Sequence, residues 1–144
     1  MLTVADIMTR DPITVTPQTK LGEVVRLMKQ HACRQLPVIE GDRLVGIITD
    51  RDVRLMMNSP LTLHERADDL ALLQHVPVEA CMTPHPLTVE ANAPAALAAD
   101  LMRTYKFGGL PVLKDGKLVG IVTVSDILTS YIALLEAQED NAGH

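Results

Sequence analysis

Two short stretches carry residue types from which ligand chemistry can be built: "GIITDRDV", residues 46–53, and "GIVTVSDI", residues 120–127. Each sets a hydroxyl, Thr49 or Thr123, three residues before a carboxylate, Asp52 or Asp126, at the end of an apolar strand-like run. A Thr at a helix N-cap accepts from the first-turn amides, and an acid three positions on can reach back to the cap N–H, so capping accounts for one such motif. Glu or Gln is the usual partner in that arrangement, and Asp is shorter. An acid in the first turn is also favoured by the positive helix end. Occurring twice at the same kind of junction, the motif supports a second reading, because a helix N-terminus with free N–H groups attracts anions and a nearby Gly admits close backbone approach.

The elements that must position these residues repeat as well. At an offset of 74, residues 4–54 lie over 78–128 without a gap, and 17 of the 51 pairs are identical. The identities include Met8/Met82, Thr9/Thr83, Pro12/Pro86, "LPV" at 36–38 and 110–112, "LVGI" at 44–47 and 118–121, Thr49/Thr123 and Asp52/Asp126. A unit of about 50 residues buries too little surface to be comfortably stable alone, so the two copies are expected to share one core.

Within the first copy, an extended "ITV" (13–15) precedes "QTKLGEVVRLMKQH" (18–31), where Leu21, Val24, Val25 and Met28 fall on one helical face. "LPVI" and "RLVGIIT" read as strands joined by a hairpin at "EGD", and "DVRLMM" as a helix. The second copy repeats this order with "LTV" (87–89), an Ala-rich helix near 93–105, "LPVL", a turn at "KDGK", "LVGIVT" and a long final helix "SDILTSYIALLEA". The expected class is α+β, built as β-α-β-β-α twice. The expected boundaries are repeat 1 at 1–57, a connector at 58–77, repeat 2 at 78–136 and a tail at 137–144. In the connector, "ERADDLALL" reads as a short surface helix between Pro60 and Pro77.

Composition narrows the function. The chain has 144 residues, 47% of them hydrophobic, and a net charge of −5 that offers no general attraction to nucleic acid or anionic lipid. With no Trp, one Phe and two Tyr, stacking platforms for single-stranded nucleic acid are missing. No run approaches the roughly 18–20 apolar residues of a membrane helix, and the N-terminus does not read as a signal peptide, so a cytoplasmic protein without membrane contact is expected. Cys33 and Cys81 lie in no C-x-x-C or zinc-type pattern and read as buried free thiols. The five His residues form no H-x-x-x-H pair, and G-x-S-x-G, Walker A and G-x-G-x-x-G are all absent. No metal site and no enzyme activity are expected.

Two copies of "MT…P…TV…LPV…LVGI[IV]T…D[VI]" resemble a tandem pair of cystathionine-β-synthase (CBS) domains, often called a Bateman module, over about residues 3–135. Within that family, a single module with a "LHERADDL" connector looks most like the amino-terminal part of acetoin utilization proteins. Many such relatives continue into an ACT domain. This sequence ends at "LEAQEDNAGH", so either the protein lacks that domain or the sequence is part of a longer chain.

The resemblance implies a non-catalytic module in which two repeats pack with pseudo-two-fold symmetry. It implies clefts between the repeats that bind AMP, ADP, ATP or S-adenosylmethionine as regulatory ligands, with no cofactor required. It places the ribose-binding carboxylates at Asp52 and Asp126 and phosphate-facing hydroxyls at Thr49 and Thr123. The residues are compatible with these roles, since a carboxylate suits the two hydroxyl donors of a ribose diol, as in dinucleotide sites. Apolar walls for adenine are available at Ile13, Thr14, Pro37 and Ile47 in copy one, and at Leu87, Thr88, Pro111 and Ile121 in copy two. Each of these residues reads equally well as core.

The copies differ where a phosphate would matter most. Arg34, Arg51 and Arg54 flank the first motif, whereas Gly108, Ser125 and Leu128 hold those places in the second, with Lys106 nearby. Arginine clamps phosphate oxygens with paired donors, although solvated arginines are also ordinary surface charge. Asp50 would repel a polyphosphate unless Arg51 or a Mg2+ ion offsets it. The expectation is two non-equivalent sites, with phosphate mattering more at the Thr49/Asp52 site. Ile127, Leu128, Tyr131, Ile132, Leu134 and Leu135 give the last helix an apolar surface wide enough for a homodimer, or one consumed within the monomer. The rival functional reading is a protein-interaction or dimerisation module with vestigial nucleotide sites. In either case a separate downstream protein would respond.

Overall fold

The computed structural model describes residues 1–57 and 66–142. The start of the connector, 58–65, including Pro60 and the "LHE" of the acetoin-type signature, and the last two tail residues lie outside the described residues. The chain divides into two compact units, one made of Pro12–Pro86 and the other of Met1–Asp11 together with the chain from Leu87 onward. Neither unit coincides with a sequence repeat. Each contains the body of one repeat and the leading segment of the other, residues 1–11 or 78–86.

In the unit Pro12–Pro86, α2 (Leu21–Gln30) forms where the apolar stripe predicts it. It buries Leu21 and Val24 against β2 (Gln35–Glu40) and β3 (Arg43–Thr49), with Val25 and Met28 packed at the edge. These strands form an antiparallel hairpin in which Leu36 faces Ile48 and Pro37 faces Ile47. Gly41 makes the turn at φ +59°, a left-handed conformation that glycine adopts without steric cost. The expected strand at "ITV" shrinks to a single parallel bridge from Val15 to Val38. The Thr19 hydroxyl takes the Thr16 amide at 3.0 Å and turns the chain away just after it.

α3 (Asp50–Met57) follows β3 directly. The connector helix forms as α4 (Arg66–His75) and lies against α2, with the Leu73 carbonyl 3.0 Å from where a Cβ on Gly22 would stand. Its exit runs beside residues 17–21, where the Leu21 N–H donates to the Val76 carbonyl and the Val78 N–H to the Thr19 carbonyl. After a short 3-10 turn, Val78–Ala80, the two-residue β4 (Thr83–Pro84) adds antiparallel to β3, opposite Ile47 and Gly46.

The other unit repeats this plan from complementary pieces. α5 (Ala95–Tyr105) packs on β6 (Gly109–Lys114) and β7 (Lys117–Thr123), whose turn carries Asp115 at φ +52° and Gly116 at φ +78°. β5 (Val89–Glu90) runs parallel to β6. On the far edge of β7 lies β1 (Thr9–Arg10), preceded by the short α1 (Val4–Ile7), so the sheet order is β1-β7-β6-β5. The final helix α6 (Val124–Ala142) buries none of its residues.

The exchange of leading segments reaches both cores. Val4 is fully buried with Val89, Met102, Leu110 and Val122, and its repeat partner Val78 is fully buried with Leu21, Leu36 and Ile48. Full burial of such a side chain stabilises by about 1.5–3 kcal/mol.

The glycine of "LVGI" explains why a Met-Thr segment lies beside it. A Cβ on Gly46 would stand 2.6 Å from the Met82 Sδ and 3.0 Å from the Thr83 carbonyl oxygen. On Gly120 it would stand 2.6 Å from the Met8 Sδ and 2.8 Å from the Thr9 carbonyl oxygen. The close approach read at this glycine as room for a ligand is taken instead by the leading strand of the other repeat.

Candidate functional site

Each Thr-x-x-Asp motif sits at the junction of a strand and the helix that follows it. In the first, the Thr49 N–H donates to Asp52 Oδ2 at 2.9 Å and the Asp52 N–H donates to Thr49 Oγ1 at 3.1 Å. In the second, the Thr123 N–H donates to Asp126 Oδ2 at 2.9 Å and the Asp126 N–H to Thr123 Oγ1 at 3.2 Å. These are reciprocal capping boxes, closed by Asp in the place where Glu or Gln is usual. A third, which sequence reading missed, opens α1, where Asp6 Oδ2 accepts from the Thr3 N–H at 2.8 Å.

Capping leaves chemistry to spare. A hydroxyl has one proton to give and two lone pairs, and the box uses only one lone pair. The O–H protons of Thr49 and Thr123 are thus not consumed by their boxes. A carboxylate offers about four acceptor positions, of which the box takes one. All four side chains are half-buried, screened from bulk water without being sealed from it.

The free amides expected at these helix starts are partly spoken for. The Asp50 N–H donates to the Arg34 carbonyl at 2.9 Å and the Val124 N–H to the Gly108 carbonyl at 3.0 Å. These bonds hold the segments before β2 and β6 against the two boxes. Both segments follow a helix ended by a left-handed residue, Ala32 at φ +50° and Lys106 at φ +61°. Arg34 is thereby tied by its backbone to the first box and Lys106 is held within a few residues of the second. Both side chains are exposed, as are Arg51 and Ser125.

Asp50 has its own counter-ion. Arg54 Nη1 reaches Asp50 Oδ2 at 3.1 Å, one helical turn along an exposed face. Arg54 therefore offsets the charge for which Arg51 or Mg2+ was considered, and as an exposed pair it contributes only about 0.3–0.5 kcal/mol.

The apolar residues divide in two. Pro37 and Pro111 are fully buried, and their ladder partners Ile47 and Ile121 are 9% and 8% exposed, so the hairpins hold them as core. Ile13, Thr14 and Thr88 are half-buried and Leu87 is exposed, each just ahead of the strand position that pairs with β2 or β6.

Two residues beside the boxes were not singled out by sequence. The Thr9 hydroxyl, arriving on β1, donates to Asp126 at 3.3 Å from Oδ1 and 3.5 Å from Oδ2. In the other unit the Cys81 thiol lies near Asp52. Burial pushes its pKa above the ordinary value, and the Asp52 charge pushes it further. The available signal was the cluster of identities Val4/Val78, Met8/Met82 and Thr9/Thr83 in a stretch with neither helical nor strand periodicity. Tyr105 and Phe107 flank Lys106 and stack on each other with ring centroids 5.9 Å apart. Among the described residues no three His, Cys, Asp or Glu side chains form a metal-ligating group, and no helix is long and apolar enough to cross a membrane.

Duplicated strand-to-helix boxes, one on a three-stranded and one on a four-stranded sheet, define a tandem-repeat module of mixed α and β structure. The family model of the CBS domain matches residues 4–59 and 78–133, and the chain belongs to that family. A CBS domain-containing protein of Dictyostelium discoideum is 39% identical over 135 residues, covering 92% of this chain and 93% of its own length. The crystal structure of an acetoin utilization protein from Vibrio cholerae superposes with a TM-score of 0.77 at 32% identity, over 97% of both chains. CBSX2 of Arabidopsis thaliana, solved in complex with AMP, gives a TM-score of 0.78 at 30% identity, over 92% of this chain and 98% of its own. A CBS domain pair solved with 5′-methylthioadenosine and S-adenosyl-L-methionine gives 0.76 at 26% identity, over 92% of this chain and 98% of its own.

Proposed function

We propose that the chain is a non-catalytic regulatory module that binds adenosine-containing ligands, AMP, ADP, ATP or S-adenosylmethionine, at two sites centred on Thr49/Asp52 and Thr123/Asp126. The observation that carries this reading is that each capping box leaves a hydroxyl proton on the Thr and acceptor positions on the Asp, half-buried and one helical turn apart. The Thr donates to a phosphate oxygen or its equivalent, and the Asp accepts from the ribose diol. Structural relatives that bind AMP and S-adenosyl-L-methionine support the ligand class.

Adenine rests on the half-buried Ile13 and Thr14 at the first site, and on Leu87 and Thr88 at the second. The buried prolines and isoleucines act behind them as core. The first site has Arg34 and Arg51 available for phosphate, and the second has Lys106 and Ser125. Phosphate number therefore matters more at the first, and Mg2+ assists only polyphosphates.

Ligand binding to the native state raises the melting temperature, by about 2.7 kcal/mol of stability at a hundredfold excess over Kd. A thermal-shift panel of AMP, ADP, ATP, S-adenosylmethionine and NAD, with and without Mg2+, should show a saturable rise for at least one adenosyl ligand. Calorimetric titration of Asp52→Ala and Asp126→Ala should then show unequal losses. No shift with any ligand would discard the reading.

A second reading, dimerisation through α6, has its own observation. Val124, Leu128, Tyr131, Ile132 and Leu135 are each at least 40% exposed on a helix whose Ile127 packs against the core of its unit. A second copy of the chain is the proposed cover. Light scattering should give twice the chain mass for the wild type and the single mass for Leu128→Lys with Ile132→Lys. A wild-type monomer would end this reading. An unidentified downstream protein remains the proposed responder.

A further inference from the structure

We propose that Thr9, which belongs to the first sequence repeat, is a positioning residue of the second site and acts by holding the Asp126 carboxylate. This rests on the reading of Asp126 as the ribose acceptor. Asp126 Oδ2 accepts the Thr123 N–H at 2.9 Å, and the Thr9 hydroxyl approaches both oxygens, at 3.3 and 3.5 Å. A backbone donor at the end of β7 and a hydroxyl from β1 thus constrain the carboxylate together. Its remaining acceptor positions stay open to a diol.

Thr9 is itself held in place. It pairs with Ile121 while Arg10 pairs with Gly120, and its carbonyl lies 2.8 Å from where a Cβ on Gly120 would stand. A Cβ at residue 120 would require the Met8 side chain and the Thr9 backbone to shift. The other unit supplies an internal control. Thr83, the repeat partner of Thr9, pairs with Ile47 in the same register, but among the described residues its hydroxyl makes no bond to Asp52. The two repeats thus place the same threonine on the same strand edge, and only one reaches the carboxylate.

The test uses the full chain with Asp52→Ala, which leaves the second site alone, titrated with AMP and with 2′,3′-dideoxy-AMP. Thr9→Val should weaken AMP binding about twofold, the low end for one net hydrogen bond because the contact is long and exposed, leave the dideoxy ligand unchanged, and be restored by Thr9→Ser. In the complementary Asp126→Ala chain, Thr83→Val should leave AMP affinity at the Asp52 site unchanged. Equal weakening of both ligands by Thr9→Val, or no weakening, overturns the proposal.

A ligand-free measurement separates its failure from that of the ribose reading. Three-bond NMR couplings should report one Asp126 side-chain rotamer in the wild type and Thr9→Ser, and averaging in Thr9→Val. Couplings indifferent to Thr9→Val overturn the positioning role. If neither AMP nor S-adenosylmethionine binds while the couplings respond, the ribose reading falls and the positioning role stands.

Discussion

A threonine that caps a helix accepts a hydrogen bond and keeps its own proton, and a carboxylate that closes the box keeps most of its lone pairs. Capping therefore leaves parts of the same two side chains free for the proposed ligand. Thr49→Ala removes the cap and should lower stability by about 0.5–2 kcal/mol in denaturant melts, as should Thr123→Ala. Thr49→Ser should recover that stability. The proximity of Cys81 to Asp52 is testable without ligand. Because burial first, and the Asp52 charge second, hold the Cys81 pKa above its ordinary value, the thiol stays protonated to higher pH than a free cysteine. Its alkylation by iodoacetamide should accelerate only above the usual thiol range, and Asp52→Asn should move that rise to lower pH. Cys33, raised by burial without a contribution from Asp52, should not respond, and an unchanged Cys81 profile would contradict the proximity.

At the scale of elements, the pairing of β1 with β7 and of β4 with β3 depends on glycine. At Gly120 the obstacle to a Cβ includes backbone, the Thr9 carbonyl at 2.8 Å, which moves only with its strand. At Gly46 the Thr83 carbonyl stands slightly farther, at 3.0 Å, and at both glycines the nearest atom is a Met sulfur 2.6 Å away that can swing aside more readily. Gly120→Ala should therefore cost more than Gly46→Ala, both within about 1–3 kcal/mol, measured by urea melts. Gly108→Ala has open space at its Cβ and serves as the neutral control. The glycine was read in the sequence as admitting a ligand, whereas the structure packs a strand there. What approaches it was not legible, because a two-residue strand carries no periodicity to read. The helix stripe at Leu21, Val24, Val25 and Met28 was legible because the period of 3.6 selects one face over ten residues.

At the scale of the whole chain, covalent neighbours and structural neighbours differ. Val4 supports strands more than a hundred residues downstream, and Val78 supports strands some thirty to forty residues upstream. Val4→Ala should cost about 2 kcal/mol and lower hydrogen-exchange protection in β6 and β7, leaving β2 and β3 protected. Val78→Ala should do the reverse. Loss of protection within the repeat that carries the substitution would contradict the exchange.

The order of the main helices and hairpin strands, the duplicated boxes and the family were written in the sequence, since apolar periodicity, caps and turn glycines act over a few residues. The partner of each Met-Thr lead was decided only by the tertiary structure. Both repeats present the same "LVGI" edge, so the local energies of pairing with either are nearly alike and no short-range signal selects one. The folded chain selects it, and that choice brings Thr9 to Asp126 and Cys81 to Asp52, making two boxes with the same motif chemically different.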